Sequence, residues 1–195
     1  MKKSRMILIG IALIAFLAMA LIYAQQSTLE TYDYTVIKTV DDVEIRQYEE
    51  ANFISYTMAG NSFSESSGRG FRVLAGYIFG DNDANKKIAM TAPVSMEFDD
   101  SITMRFMVPS DFELSDLPNP NDKNIKFETL PGEKMAAIRF GGWASDSKIK
   151  KYKAELRSIL DKSDIEYTEP FIYFGYDSPY NLINRRNEIL VKVKY

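Results

Sequence analysis

The chain has 195 residues, of which 46% are apolar and 26% charged, and its formal net charge is -3; this suits one folded domain with a buried core. It contains no cysteine and no histidine, which excludes disulfides, thiolate nucleophiles, histidine-dependent catalytic pairs, the usual ligand sets of zinc and non-haem iron, and the commonest axial ligand of haem iron. An acidic chain without a basic stripe also argues against nucleic-acid binding.

Residues 1–24 are predicted to be a signal peptide or an N-terminal transmembrane anchor, followed by a polar spacer over 25–33. Met1–Arg5 is basic, and Met6–Ala24 is an uninterrupted apolar run. About 20 such residues span a bilayer, which favours an anchor, whereas Ala18-Met-Ala20 has the pattern of a cleavage site. Both alternatives place the rest of the chain outside the cytoplasm, either membrane-anchored or secreted, for example into a periplasm.

The folded domain is predicted to cover residues 34–195 and to begin with short strands of alternating polarity. Tyr34–Val40 and Val43–Tyr48 are typical of a hairpin, and Ala51–Met58 of a third strand. The next apolar residues recur at helical spacing and predict a helix that ends near Gly80. The first elements are therefore three strands and a helix.

Lys87–Phe98 is an apolar, β-branched segment that Pro93 interrupts. Because proline fixes its own φ and donates no ladder hydrogen bond, Pro93 is predicted at a sheet edge, a bulge or a corner. Met90 is expected to pack under the first helix. A strand over Ile102–Val108 and a long polar loop are predicted to follow.

The order of elements then repeats. Strands are predicted over Ile125–Leu130 and Lys134–Gly142, a helix over Ser145–Lys162, and two strands over Phe171–Pro179 and Glu188–Lys194. The predicted fold is α+β: a duplicated strand-strand-helix-strand-strand unit that forms a mostly antiparallel, distorted β-barrel with two helices packed on it. The segment ending at Pro179 is expected to match the one ending at Pro93, and the lone Trp143 is expected in the core.

The chain resembles the SOUL/haem-binding protein family in separated motifs that occur in the family's order. These motifs are Val43-Glu-Ile-Arg-Gln-Tyr48, Phe71-Arg-Val-Leu74, Ile88-Ala-Met-Thr-Ala-Pro-Val94, and Tyr176-Asp-Ser-Pro179 with Arg185-Arg-Asn-Glu-Ile-Leu-Val191. The resemblance covers Tyr34–Tyr195 and implies the same pseudo-twofold barrel of helices and sheet.

The resemblance also implies non-catalytic binding of haem or a related tetrapyrrole in a shallow apolar groove between the first helix and the loop before the last strand. A basic helix residue, Arg72, and a second basic group on the loop, Arg185 or Arg186, would pair with propionates, and the other side chains would contact the macrocycle. The positions that match the family's groove are Arg72, Val73, Tyr77 and Ile78 on the helix, and Tyr180, Leu182, Ile183, Arg185 and Arg186 on the loop.

The missing histidine leaves several alternatives open. Tyr77, Tyr180 or Met90 are candidates for an iron ligand, and binding through groove contacts alone needs no protein ligand at all. A first rival is a binding module for another hydrophobic ligand or a protein partner. A second is an enzyme acting on a porphyrin or hydrophobic ester, against which the absence of histidine and cysteine stands.

Overall fold

The computed structural model describes residues 10, 13, 16, 29–178 and 180–194. The predicted leader over 1–24 lies outside the described residues, apart from the three isolated positions. No helix in the described part of the chain is long and apolar enough to cross a bilayer.

Thr31–Tyr195 forms one compact unit with nine strands, two long helices and a short 3-10 helix at Leu114–Asp116. The elements are β1 (Tyr34–Val40), β2 (Val43–Tyr48), β3 (Ala51–Met58), α1 (Phe63–Ile78), β4 (Val94–Phe98), β5 (Ile102–Met107), β6 (Ile125–Leu130), β7 (Lys134–Phe140), α2 (Asp146–Lys162), β8 (Glu166–Gly175) and β9 (Asn187–Lys194).

All nine strands form one sheet in the order β1-β2-β7-β9-β8-β4-β5-β3-β6. Every neighbouring pair is antiparallel. If each element of β2-β3-α1-β4-β5 changes places with its counterpart in β6-β7-α2-β8-β9, the strand order from β2 to β6 becomes the same order read backwards. The topology therefore agrees with the predicted duplication, and its pseudo-twofold axis passes between the central strands β4 and β8.

The predicted barrel is wrong, because the sheet is open. Closure would require its two edges, β1 and β6, to pair, and among the described residues they do not. β1 has no counterpart in the duplicated unit and lies beyond β2, at the edge that would have to meet β6. Most of β1 is exposed, and its pairing with β2 shifts between Val36 and Lys38; such an irregularity is typical of an edge strand that ends a sheet.

Both helices pack on one face of the sheet, as the apolar stripes predict. Leu74 of α1 and Leu156 and Leu160 of α2 are fully buried in that core. α1 approaches the sheet closely at Gly70, where an added Cβ would clash with the terminal methyl group of Met58. Glycine at this position therefore sets how near the helix lies to β3.

The proline-containing segment is less regular than predicted. β4 begins only at Val94, directly after the cis Ala92–Pro93 bond, so the chain before Pro93 belongs to no strand. β8 begins at Glu166, earlier than predicted, and pairs directly with β4, with Met96 opposite Tyr173. The predicted match of Pro93 with Pro179 is not tested, because residue 179 lies outside the described part of the chain. Met90 is half-buried against the core.

Candidate functional site

An apolar groove of about 260 Å³ lies between α1 and the loop over 176–186 that joins β8 to β9. We call it the α1 groove, and the loop the β8–β9 loop. Its lining residues come from α1, from strands β4, β5 and β8, from the residues before α2 and from the β8–β9 loop. They are Phe63, Ser67, Gly68, Phe71, Val94, Met96, Met104, Trp143, Tyr173, Gly175, Asp177 and Arg185.

The α1 wall follows from helical spacing. Phe63, Ser67 and Phe71 recur every four residues, so they form one stripe on the flank of the helix beside its buried face. Gly68 adds no side chain, and a Cβ built there would meet no atom within 4 Å. The groove is therefore open at Gly68, while the ring of Phe71 is 37% exposed beside it.

The floor consists of methionines from adjacent strands. Met96 of β4 and Met104 of β5 are register partners, and both are almost fully buried. Methionine side chains are flexible and polarisable, so such a floor adapts to the shape of an apolar ligand.

Tyr173 of β8 is buried beside the two methionines, and its hydroxyl donates to Asn187 Oδ1 at 2.7 Å. Burial holds the pKa of this phenol well above its usual value.

The opposite wall contains Trp143 and Arg185. Trp143 was expected in the core, yet it is 53% exposed. The reason is its position: it follows Gly142, whose φ is 74°, and precedes Ser145, the N-cap of α2, so it lies off the end of the helix rather than on its buried face. The guanidinium carbon of Arg185 lies 4.2 Å from the centre of the Trp143 ring, a cation–π contact.

Arg185 also holds the β8–β9 loop together. Its Nη atoms donate to the backbone carbonyls of Ser178 at 2.8 Å, Asn181 at 2.7 Å and Asp177 at 3.2 Å. Its Nε is buried and has no hydrogen-bond acceptor among the described residues. Buried donors without a partner are rare, so one donor of this groove-lining residue is left unused.

Arg186 lies outside the α1 groove, although it directly follows Arg185 in the sequence. Its Nε donates to Glu188 at 2.9 Å and its Nη2 to the Tyr34 hydroxyl at 2.9 Å. Glu188 is fully buried and also accepts two hydrogen bonds from Arg46, at 2.7 and 3.1 Å. We call these three charges the buried ion cluster. Arg186 is thus fully engaged and does not line the α1 groove.

The buried ion cluster anchors both ends of the β8–β9 loop. The Tyr176 hydroxyl donates to Glu188 at 3.0 Å, and Arg186 reaches the same carboxylate from the other end. Burial alone would raise the pKa of Glu188, but the hydrogen bonds and positive charges of Arg46 and Arg186 hold it below its usual value. The base of the loop is therefore fixed by a charged carboxylate.

The remaining predicted residues fall into two groups. Tyr77 and Ile78 are buried in the core, and Val73 packs against it at partial exposure. The Tyr77 hydroxyl donates to the carbonyl of Pro118 at 2.9 Å, and burial raises its pKa to about 12. This phenol is therefore protonated and engaged at neutral pH.

The second group is exposed. Arg72 lies at the surface of α1, and Tyr180, Leu182 and Ile183 are 90%, 72% and 74% exposed on the β8–β9 loop. Of the nine predicted residues, only Arg185 lines the α1 groove. The α1 stripe of Phe63, Ser67 and Phe71 was missed, although its four-residue spacing is visible in the sequence.

A family described as "SOUL heme-binding protein" matches residues 29–192 of this chain. The curated relatives include Heme-binding protein 2 of Homo sapiens, 32% identical over 155 residues that make up 75% of each chain. Heme-binding protein 1 of Xenopus laevis is 29% identical over 154 residues, 75% of this chain and 80% of the relative.

The solved structures give a likeness in fold alone. The EcmrR C-terminal domain superposes with a TM-score of 0.62 at 14% identity, over 83% of this chain and 98% of that domain. An identity this low says nothing of function.

Proposed function

Because this chain belongs to the SOUL heme-binding protein family, we propose that its α1 groove binds haem or a related tetrapyrrole without catalysing a reaction on it. The names of the family and of its relatives describe binding proteins. The observation that supports this groove in particular is the Trp143–Arg185 pair facing an apolar floor.

The groove suits a flat, apolar ligand that is only partly enclosed. Its volume of about 260 Å³ is below that of ordinary ligand pockets, which measure roughly 300–1,000 Å³, so it would enclose only part of a macrocycle. One edge of a macrocycle would insert between Phe71 and Trp143 and rest on the methionine floor. The exposed residues Tyr180, Leu182 and Ile183 would cover part of what remains outside.

The carboxylates of the ligand need cationic partners. Arg185 is the lining residue with an unused donor, and Arg72 is an exposed cation on α1. We assign a propionate contact to each of these two, and none to Arg186, which the buried ion cluster engages. Arginine suits this role because it stays charged at any physiological pH, and Arg185 has its Nε–H left to donate.

Iron is not needed for this mode of binding. The chain has no histidine, and in the described ranges no three Asp or Glu side chains lie together so that they could hold a metal ion. Bound haem would supply its own apolar surface and carboxylates, while the residues of this chain position the macrocycle through packing and charge.

Iron-free protoporphyrin IX is therefore expected to bind within about threefold of the affinity of hemin. Trp143, the single tryptophan of the chain, lies at the groove and reports both titrations by quenching of its fluorescence. Saturable quenching by both compounds supports the proposal. Binding of hemin at least tenfold tighter would instead mean that a side chain ligates the iron.

We also propose that the domain faces away from the cytoplasm. The support is the basic Met1–Arg5 followed by the apolar Met6–Ala24, since positive charge is retained on the cytoplasmic side. Fractionation of cells that express the full chain should place it in the membrane or outside the cytoplasm, and the mass of the purified protein distinguishes an intact from a cleaved leader. Recovery of intact protein only in the cytoplasmic fraction would contradict this proposal.

A further inference from the structure

A second groove, of about 460 Å³, runs along α2; we call it the α2 groove. Its α2 wall extends from Asp146 to Arg157, which is about 16 Å at 1.5 Å per residue. Phe63 lines both this groove and the α1 groove. The α2 groove is therefore elongated along its helix, and the two grooves share one aromatic wall.

The α2 groove has cations that are not neutralised. Lys150, Lys153 and Arg157 line it. Arg157 pairs with Glu169, whereas Lys150 and Lys153 form no ion pair with any residue in the ranges 29–178 and 180–194. Two ammonium groups thus face this groove without a carboxylate partner.

Asp146, the one acidic side chain in the lining, is already engaged. Its carboxylate accepts hydrogen bonds from the backbone N–H groups of Phe63 at 2.7 Å and Ser64 at 3.3 Å. It caps the first turn of α1, and these hydrogen bonds, with that from the Ser64 side chain, hold its pKa below the usual value. Asp146 is therefore held by the backbone of α1, and it forms no ion pair with Lys150 or Lys153 in the described part of the chain.

Lys153 is partly removed from water. Its Nζ lies 4.1 Å from the centre of the Phe98 ring and 5.9 Å from that of Phe171. Burial lowers the pKa of Lys153, with the charge of Glu169 opposing the shift and that of Arg157 adding to it. A partly dehydrated ammonium beside aromatic rings gains more from a ligand carboxylate than a fully hydrated one does.

The groove also contains an unsatisfied hydroxyl. Ser62 Oγ is buried and lacks a hydrogen-bond partner, and Ser62 lines the α2 groove. The other such atom in the described part of the chain is Arg185 Nε, at the α1 groove. Each groove is thus lined by one residue that has a buried polar atom without a partner; a ligand or a water molecule would supply that partner.

We propose that the α2 groove binds a fatty acid. The carboxylate would pair with the ammonium groups of Lys150 and Lys153, and the apolar chain would extend from there over Ile149 and Phe63. An apolar tail with one anionic end matches a lining that combines aromatic and aliphatic side chains with two ammonium groups. This site does not depend on tetrapyrrole binding in the α1 groove.

The test is a fluorescence titration of the full chain with cis-parinaric acid, a fatty acid that fluoresces when bound. Wild type should bind saturably, and Lys150→Gln/Lys153→Gln should bind at least about tenfold more weakly, because two charge-assisted contacts are lost. The methyl ester of the probe, which lacks the anion, should bind wild type as weakly as the acid binds the double variant.

Two controls make the test specific. Lys151→Gln removes a neighbouring charge of α2 that does not line the groove, and it should leave the affinity unchanged. Gly68→Leu, which fills the α1 groove, should also retain binding. The proposal is overturned if wild type shows no saturable binding, if the double variant or the ester binds like wild type with the acid, or if Gly68→Leu abolishes binding.

Discussion

Gly68→Leu is expected to weaken hemin binding by at least about tenfold without destabilising the protein. A Cβ at this position meets no atom within 4 Å, so a leucine side chain extends into the α1 groove without disturbing the core. Leucine also favours a helix over glycine by about 0.5–1 kcal/mol, so the free energy of unfolding should stay level or rise. Hemin titration followed by Trp143 quenching, together with urea unfolding, measures both effects.

Gly76→Leu is the matched control. It makes the same exchange on α1 at a position that does not line the groove, and its nearest neighbour, Asp81, lies 3.9 Å from the added Cβ. Both variants gain the same helix propensity, but only the first should lose hemin affinity. Equal affinities in Gly68→Leu and wild type would remove the α1 groove as the binding site.

Glu188→Gln is expected to lower the free energy of unfolding by about 3–5 kcal/mol, the usual cost of removing one partner from a buried ion pair. Glu188 is fully buried between Arg46 and Arg186. Its loss leaves the buried Arg46 with only the partly exposed Glu44 as an ion-pair partner among the described residues, and Arg186 with none. Urea unfolding at neutral pH measures the change. The matched control is Glu133→Gln, which breaks a partly exposed pair with Lys192 and should cost less than about 1 kcal/mol.

The same carboxylate predicts how stability responds to acid. The folded protein holds the pKa of Glu188 below 4.5, so the unfolded chain binds this proton more readily than the folded one. The contribution of Glu188 is complete above about pH 4.5 and is lost as the pH falls through its lower folded pKa. Wild type should lose more stability than Glu188→Gln on acidification over this range, and parallel curves for the two proteins would contradict the assignment.

The sequence predicted the elements well, because helix and strand periodicity are local properties. Both helices and the duplicated order were found from apolar spacing, as at Leu156 of α2. Closure of the sheet was not predictable in this way, since it depends on whether the two edge strands, β1 and β6, lie close enough to pair. That relation between distant edges leaves no periodic signal in either strand.

The site was harder to predict for a similar reason. Arg185 and Arg186 are equivalent in the sequence, but Arg185 binds carbonyls of the β8–β9 loop and lines the groove, while Arg186 joins the buried ion cluster. Glu188, two residues beyond Arg186, was a usable signal, because it is the one acidic residue of β9 and its carboxylate binds Arg186. Trp143 was wrongly predicted in the core because the prediction relied on its large aromatic side chain. Its position just before the N-cap of α2 places it off the end of the helix instead.

Phe63 lines both proposed sites, so a movement of its ring would link their affinities, although neither site requires the other to be occupied. If an occupant of either groove shifts this ring, it changes the affinity of the other groove, and linkage requires the factor to be the same in both directions. The size of that factor is the ratio of hemin dissociation constants with and without saturating fatty acid. A protein built from two copies of one unit would then respond to two ligands together, with a single aromatic side chain as the point of coupling.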